Sequence, residues 1–444
     1  MKNIKLSLWA LLLGLTGLWL LADTLVPEPF TYFSFRDAFM QYSGLIGIGA
    51  MSAAMFLATR PKWLEPHLDG LDKMYRLHKW LGITGLTVAV LHWWWAQGSK
   101  WMVGWGWLDK PARKGEPGSS LGPVAKWLHS QRGLAEDLGE WAFYAAVILI
   151  ALALIKRFPY HLFAKVHKLL AVVYLVLVYH GLVLSKFAYW SQPVGWVLAL
   201  MLVAGSTAAV LVLAGRVGAR RKARGRIESL TYYPELQVLE TAVELEPGWA
   251  GHKAGQFAFV TSDPGEGAHP YTIASAWEPE KRRIVFITKA LGDHTRRLRD
   301  CLTVGAPVTV EGPYGCFDFE SPQPRQIWIG AGIGITPFVA RMKQLALSGA
   351  TRPIDLFHPT SEFSQAAMDK LSAAARAAGV QLQVLISPRD GRLDGERIRA
   401  AVPEWRSASI WFCGPPGFGE ALRQDFVAHG LKPRDFHQEL FLMR

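Results

Sequence analysis

Cysteine is scarce: Cys301, Cys316 and Cys413 are the only three in a chain of 444 residues, and no two form a C-x-x-C pair. Neither a disulfide framework nor a four-thiolate iron–sulfur or zinc site can be built from one such chain, so a redox centre must be carried some other way. Charge is sparse too. Only 19% of residues are charged against 50% hydrophobic, and mean hydropathy is +0.15, which excludes disorder for most of the length. At about 150 residues per domain the chain holds roughly three. Acidic residues are the minority sign: 48 Lys plus Arg against 36 Asp plus Glu leaves +12, a surplus that suits an anionic membrane surface, nucleic acid or phosphate-bearing cofactors.

What the chain has in abundance is long apolar runs, all before residue 217. Six approach the ~20 residues that cross a ~30 Å hydrocarbon layer: Leu6 to Ala22, Met40 to Ala58, Leu77 to Trp95, Leu138 to Ile155, Leu169 to Leu184 and Trp196 to Ala214. Six spans are therefore expected, with the first read as an uncleaved helix in preference to a signal peptide, because Leu20-Leu21-Ala22 is a poor small-x-small cleavage site. Basic residues cluster in alternate connections: Lys2 and Lys5; Arg60 to Lys79; Lys156 to Lys168; and Arg216 to Arg226. By the positive-inside rule those four segments share the cytoplasmic side, which predicts a multi-pass inner or plasma membrane protein with both termini cytoplasmic. The run Arg216 to Arg226 reads as a collar against anionic lipid. It absorbs much of the net charge, and nucleic-acid binding is not needed to explain it.

Ionisable rings inside membrane helices are costly and tend to carry function. His78 and His92 lie on the third run, His167 and His180 on the fifth, at intervals of 92 − 78 = 14 and 180 − 167 = 13 residues. At ~1.5 Å per residue the two pairs of positions are about 21 and 19.5 Å apart, one ring near each membrane face on each helix. His78 shares a level with His167 and His92 with His180, giving two cross-helix pairs that each supply both axial ligands to a haem iron. Two stacked haems follow. A 13-residue step on a straight helix turns the second ring about 140° away from the first, so the fifth span needs a kink or overwinding. Taken singly, each histidine reads equally well as interfacial or hydrogen-bonded, and paired imidazoles without carboxylate or thiolate leave a bare metal ion under-coordinated. His67, His129 and His161 fall outside the pattern. Tyr174, midway between His167 and His180, reads as packing or as a relay between the haems.

After residue 217 the pattern changes. Strand-like runs at Gln237 to Val243, Gln256 to Thr261, Arg283 to Thr288 and Pro307 to Glu311 predict a small β-barrel. It holds His269-Pro270-Tyr271-Thr272-Ile273-Ala274-Ser275 and Gly292-Asp293-His294-Thr295, the latter opening a short helix whose N–H groups suit a pyrophosphate, and Gly312-Pro313-Tyr314-Gly315 reads as a closing turn. From Gln326 a buried strand leads into Gly330-Ala331-Gly332-Ile333-Gly334-Ile335-Thr336-Pro337 and a helix to about Leu347. A later strand, Ser409 to Cys413, runs into Gly414-Pro415-Pro416-Gly417, placing two glycine turns at the carboxyl edge of a parallel sheet, where open α/β folds bind ligands. Cys413 reads as buried packing or as a neighbour of nicotinamide.

In this order the motifs HPYTIAS, GDHT, GPYG, GAGIGITPF, CGPPGF and a terminal FHQELFLMR resemble the ferredoxin-reductase type of flavin and pyridine-nucleotide module. Joined to six spans with paired histidines, the whole chain resembles the transmembrane NADPH oxidase and ferric reductase superfamily. The resemblance implies a six-helix α-bundle binding two b-type haems (residues 1–217), a basic linker (218–226), an FAD-binding β-barrel (227–322) and an NAD(P)-binding α/β domain (323–444). It implies that His269, Pro270 and Thr272 contact FAD, that Tyr271 packs on the flavin, and that Gly292 and Thr295 hold its pyrophosphate. Gly330, Gly332, Gly334, Thr336, Pro337, Cys413, Gly414 and Pro415 would line the nicotinamide nucleotide, with Thr272, Cys413 and Phe441 at the point of hydride transfer and Phe441 covering the flavin. Ser387 and Arg389, after the expected strand Gln381 to Ile386, would grip a 2′-phosphate, which favours NADPH over NADH. Soluble relatives usually carry Arg where His269 stands, and the calcium-binding segments of some eukaryotic members are missing. The implied activity is electron transfer from cytoplasmic NAD(P)H through FAD and two haems to an external acceptor, ferric chelate or dioxygen, with no obligate protein partner evident. The rival is a haem-bearing membrane anchor or sensor that transfers no hydride.

Overall fold

A computed structural model describes residues 2–109, 122–155 and 160–439. It divides at Val217/Gly218 into two compact units. Phe441 lies outside the described residues.

The first unit is helical: α1 Lys2–Leu20, α2 Tyr32–Ala58, α3 Leu71–Gly104, α4 Pro123–Ser130, α5 Arg132–Leu154, α6 Tyr160–His167, α7 Leu169–Leu184 and α8 Pro193–Leu213. Among the described residues five helical stretches, in α1, α2, α5, Lys165–Leu184 and α8, are long and apolar enough to cross a membrane, against the six expected. The departure is α3. Its 34 residues run about 51 Å at ~1.5 Å each, but Lys73, Arg76, His78, Lys79, His92 and Lys100 lower its hydropathy. The first helix is also longer at its start than the apolar run, since α1 takes in Lys5.

Small residues set the packing. Gly49 of α2 receives Leu15 of α1, and Gly205 of α8 receives the Tyr174 ring of α7 so closely that a Cβ at either would collide, as expected where helices associate in lipid without a hydrophobic drive. Trp19, Tyr174 and Leu198 lie at the centre of this cluster, almost fully buried. Tyr174 donates to Ser52 Oγ at 2.8 Å, whose own proton goes to Ile48 O, so its hydroxyl is committed to α2. Helix α3 meets α2 at Gly85, where a Cβ would crowd Met51 at 3.2 Å, and is braced by aromatic side chains: Trp93 stacks on Phe143 of α5 at 5.4 Å, and Trp95 on Tyr32 of α2 at 5.7 Å.

The second unit begins with β1 Lys222–Tyr233, then β2 Val238–Leu245, β3 Phe257–Thr261, β4 His269–Thr272, β5 Arg283–Lys289, α9 Asp293–Cys301 and β6 Pro307–Tyr314. The six strands are ordered β4-β3-β6-β1-β2-β5, and an Ile273↔Phe286 bridge joins the two edges into a barrel. Two expectations need correction here. The basic stretch read as a linker is strand from Lys222 onward, held by Arg221 over the Tyr314 ring at 4.8 Å; Gly312-Pro313-Tyr314 is the end of β6, not a turn.

The rest is α/β: β7 Arg325–Gly330, α10 Thr336–Ser348, β8 Ile354–Thr360, α11 Gln365–Ala377, β9 Gln381–Ile386, α12 Ser387–Asp390, α13 Gly395–Ala401, β10 Ala408–Cys413, α14 Pro416–Ala428 and β11 Phe436–Gln438. Its five parallel strands are ordered β11-β10-β7-β8-β9. Helices cover both faces, which is why Ile327, Trp328 and Ile329 are consecutive and all fully buried. The two central tryptophans solve the same problem alike: Trp328 Nε1 donates to Gln326 Oε1 at 2.9 Å and Trp411 Nε1 to Ser409 Oγ at 3.0 Å, each acceptor two residues back on the same face.

Candidate functional site: two histidine pairs and a nucleotide cleft

In the helical unit the four expected histidines come together as two pairs. The rings of His78 and His167 lie 5.9 Å apart between centroids, and those of His92 and His180 6.3 Å apart. Two imidazole nitrogens bound to one metal at about 2 Å each put their rings about 6 Å apart, so both gaps fit a six-coordinate iron. The break that lets the fifth span serve both levels is at Lys168, between α6 and α7. The 13-residue step is therefore not read along one straight helix.

Three of the four rings are oriented by their second nitrogen. His78 Nδ1 donates to Ala54 O at 2.9 Å and His180 Nδ1 to Ala135 O at 2.8 Å. His92 Nδ1 meets Ser43 Oγ at 2.9 Å, and the Ser43 proton is spent on Phe39 O, so this oxygen accepts as well. A carbonyl can only accept, which puts the proton on Nδ1 and leaves the Nε2 lone pair for a metal, the arrangement of ligating histidines generally. His167 Nδ1 is buried with no hydrogen-bond partner among the described residues. The donor set and spacing fit two bis-histidine haems. Arg36 stands beside the His92 level, its Nε donating to Ser99 Oγ at 3.0 Å.

In the barrel His269 opens β4, and His294 is the second residue of α9. Their rings stack at 3.6 Å with 5° between planes. Tyr271 OH meets His294 Nε2 at 2.9 Å, and Arg297, one turn on, binds Glu266 at 2.5 Å. Glu266, His269 and His294 bring one ligand-type atom each within 4.8 Å of the others, but parallel rings send their in-plane lone pairs side by side and not to one point, so the cluster suits an anion better than a cation. Burial, then the facing His294, hold His269 down at about 4; His294 is lowered by burial, with Glu266 opposing. Thr295 Oγ1 accepts from Leu291 N and Gly292 N, both at 3.0 Å. It shapes the turn itself, and the space beside Gly292 is open. Pro270 and Thr272 pair with Phe259 and Phe257, with Thr272 buried. These residues fit a diphosphate-bearing flavin.

The nucleotide edge is built by the loops after β7 and β10. Gly334 lies against the backbone of Cys413 and Gly414, and Ala331 N donates to Cys413 O at 2.9 Å. Gly330 lets Ile335 and Phe338 approach the strand, while Gly332, at φ +54°, faces open space. Thr336 turns its hydroxyl inward to Ile333 O at 2.8 Å, and Pro337 follows it, buried, in the first turn of α10. The Cys413 thiol is fully buried among the aromatic core and pushed up by burial; the loop presents its backbone, not its sulfur. The same is true of Gly414 and Pro415, which lead into α14. His358 was not anticipated: it is buried on β8 and its Nδ1 donates to Gly330 O at 2.7 Å, tying the glycine loop to the neighbouring strand. Ser387 and Arg389 sit in α12 at the end of β9, where Arg389 forms a two-pronged pair with Asp390 at 2.8 and 3.0 Å.

Residues 43–178 match the family of the ferric reductase like transmembrane component, and residues 224–317 match that of an FAD-binding domain. A curated relative, an NADPH oxidoreductase of Mycobacterium tuberculosis, is 27% identical over 243 residues, 52% of this chain and 63% of its own. Respiratory burst oxidase homolog protein E of Arabidopsis thaliana is 29% identical over 239 residues, 46% of this chain and 24% of its own. A flavohemoglobin from Malassezia yamatoensis, solved with FAD and heme, aligns at TM-score 0.44 and 20% identity over 72% of this chain and 88% of its own. The chain thus spans less than two thirds of the length of these two curated relatives.

Proposed function

We infer that this chain, which carries a ferric reductase-like transmembrane component and an FAD-binding domain in the order of the ferric reductase and NADPH oxidase superfamily, is a transmembrane oxidoreductase that passes electrons from cytoplasmic NAD(P)H to an acceptor across the membrane. The observation that carries the reading is the pair of histidine pairs, each at metal-bridging distance, in one chain with a glycine-lined nucleotide edge. Helix α3 serves as the sixth span, and the basic connections hold both termini in the cytoplasm. When bound, FAD and two haems supply the redox chemistry, hydride in and single electrons out. The protein supplies position: His78 with His167 and His92 with His180 offer Nε2 at two levels, the His269–His294 pair and Arg297 receive the flavin diphosphate, and the loops at Gly332, Gly334 and Gly414 receive the nucleotide. His78 with His167 and His92 with His180 would hold the two haems through both histidines of each pair, which would leave no ligand position for the acceptor, so ferric chelate or dioxygen alike would take its electron without binding iron. The deciding experiment measures haem and flavin content, then superoxide and ferrous iron side by side, with purified protein, NADPH and FAD. Haem without FAD would support a membrane anchor or sensor in its place.

Flavin binding should depend on pH. The two rings are neutral when free because burial disfavours their charged forms, and Glu266, which opposes this, is itself paired with Arg297. An arriving diphosphate favours protonation, so the bound-state pKa lies above the free-state value of about 4 for His269. Binding takes up protons, and affinity therefore rises as pH falls through the raised bound-state value toward about 4, with a limit of about tenfold per pH unit for each proton. Flavin-fluorescence titrations should show this slope, and His294→Asn should flatten it; a flat wild-type profile refutes the proton uptake.

Nucleotide choice rests on Arg389. Its pair with Asp390 is exposed, hence weak, and a 2′-phosphate can displace the carboxylate. Arg389→Ala should lower the ratio of kcat/KM for NADPH over NADH by about tenfold. No change in that ratio removes Arg389 from the site.

A further inference from the structure

The ring of His180 lies against the backbone of α5, where its Nδ1 donates to Ala135 O at 2.8 Å. One turn further along α5 stands Gly139. A Cβ built there would overlap the imidazole, with Cε1 at 2.5 Å, Cγ at 2.8 Å and Nδ1 closer still. All three atoms belong to a rigid ring near its own backbone, so none can bend away as the tip of a long side chain would. The helices cannot simply part either, because Ala142 and Ala146 of α5 pack against Val173 of α7 in a small buried cluster. A methyl group at 139 must therefore turn the His180 ring and break its bond to Ala135.

The effect is local to one of the two pairs. On the other side of the same level, Gly44 of α2 faces His92 Cε1 at an ordinary 3.5 Å. At the inner level His78 leans on Ala54, which already has its Cβ. Gly133, also on α5, has nothing within 4 Å. Glycine in a helix interior is unfavourable relative to alanine, and at 139 it has a physical return: room for a ring.

We propose that Gly139 is a positioning residue for His180, fixing the orientation in which its Nε2 meets an outer haem, and that the outer haem site, unlike the inner, depends on this glycine. The proposal rests on the reading of the two pairs as haem ligands. It concerns ring orientation, so a spectroscopic measurement tests it directly. Full-length Gly139→Ala and Gly133→Ala should be purified with the wild type, and pyridine-haemochrome content, FAD content, low-spin ferric spectra and a redox titration measured on each. The expected result is two haems in wild type and in Gly133→Ala, and in Gly139→Ala either one haem or two with a single altered midpoint potential, the inner haem and FAD content being unchanged. Two haems with unaltered spectra and potentials in Gly139→Ala overturn the proposal while leaving the haem reading intact. Loss of both haems together also overturns it, since that is the mark of general packing. A wild-type protein without haem fails at the earlier step and removes the reading beneath it.

Discussion

A His92→Leu protein is expected to retain one haem of two and to lose reduction of external acceptors down to background, while NAD(P)H still reduces the remaining haem. Leucine is close in volume and suits the membrane interior, so the helix survives; what is lost is the ring facing that of His180, 6.3 Å away between centroids. The inner pair is 14 residues away along α3, about 21 Å at ~1.5 Å per residue, and its His78 is held separately through Ala54. His67→Leu is the matched control, because that ring bonds a local carbonyl, Trp63 O, and should leave two haems. Unchanged haemochrome content in His92→Leu would falsify the pairing.

Gly334→Ala should remove nucleotide use without touching the flavin or the haems. A Cβ at 334 would meet Cys413 C at 2.6 Å and Gly414 N at 2.9 Å, both main-chain atoms. Relief requires the two loops to separate, yet their strands are paired from Ala408↔Arg325 to Cys413↔Gly330 and locked beyond by Ala331 N to Cys413 O. Displacing a substrate by about 1 Å can cost about 100-fold in rate, and kcat/KM for NAD(P)H should fall by at least that. Dithionite, which bypasses the nucleotide, should still reduce both haems in the variant. A wild-type kcat/KM would show that the loop contact is not needed for the site.

Much of this was legible because lipid and β-sheets impose simple periods. Apolar runs near 20 residues announce spans, and histidines repeating at two depths announce pairs that no single histidine would suggest. The parallel strands at Gln326 and Ser409 were legible for a related reason: burial on both faces makes them continuous in apolar residues. The supports were not legible. Ala54, Ala135 and Ser43 orient the rings through a carbonyl or a hydroxyl, and every residue has a carbonyl, so composition carries no mark of it. Gly139 has no local signal either, since its meaning depends on a ring 41 positions later in the chain. The polar residues of α3, Lys73, Arg76, Lys79 and Lys100 with His78 and His92, pulled its hydropathy below that of its neighbours. Strand β1 was hidden by its arginines, which alternate with Ala223, Gly225 and Ile227 but read in isolation as a collar. The direction of the Cys413 thiol is a matter of strand phase at the edge of a sheet, where a shift of one residue exchanges core for solvent.

The packing of α3 bears on how the protein is made. Helices that cross a bilayer are stable singly and associate afterwards, and here α1, α2, α7 and α8 have their small-residue contacts ready in the chain. Helix α3 has such a contact too, Gly85 against Met51 of α2, with aromatic braces at one end. On the haem reading proposed above, its two ring pairs close only when the groups they hold arrive, so a cell starved of porphyrin should show a third helix more open to protease than a supplied cell does.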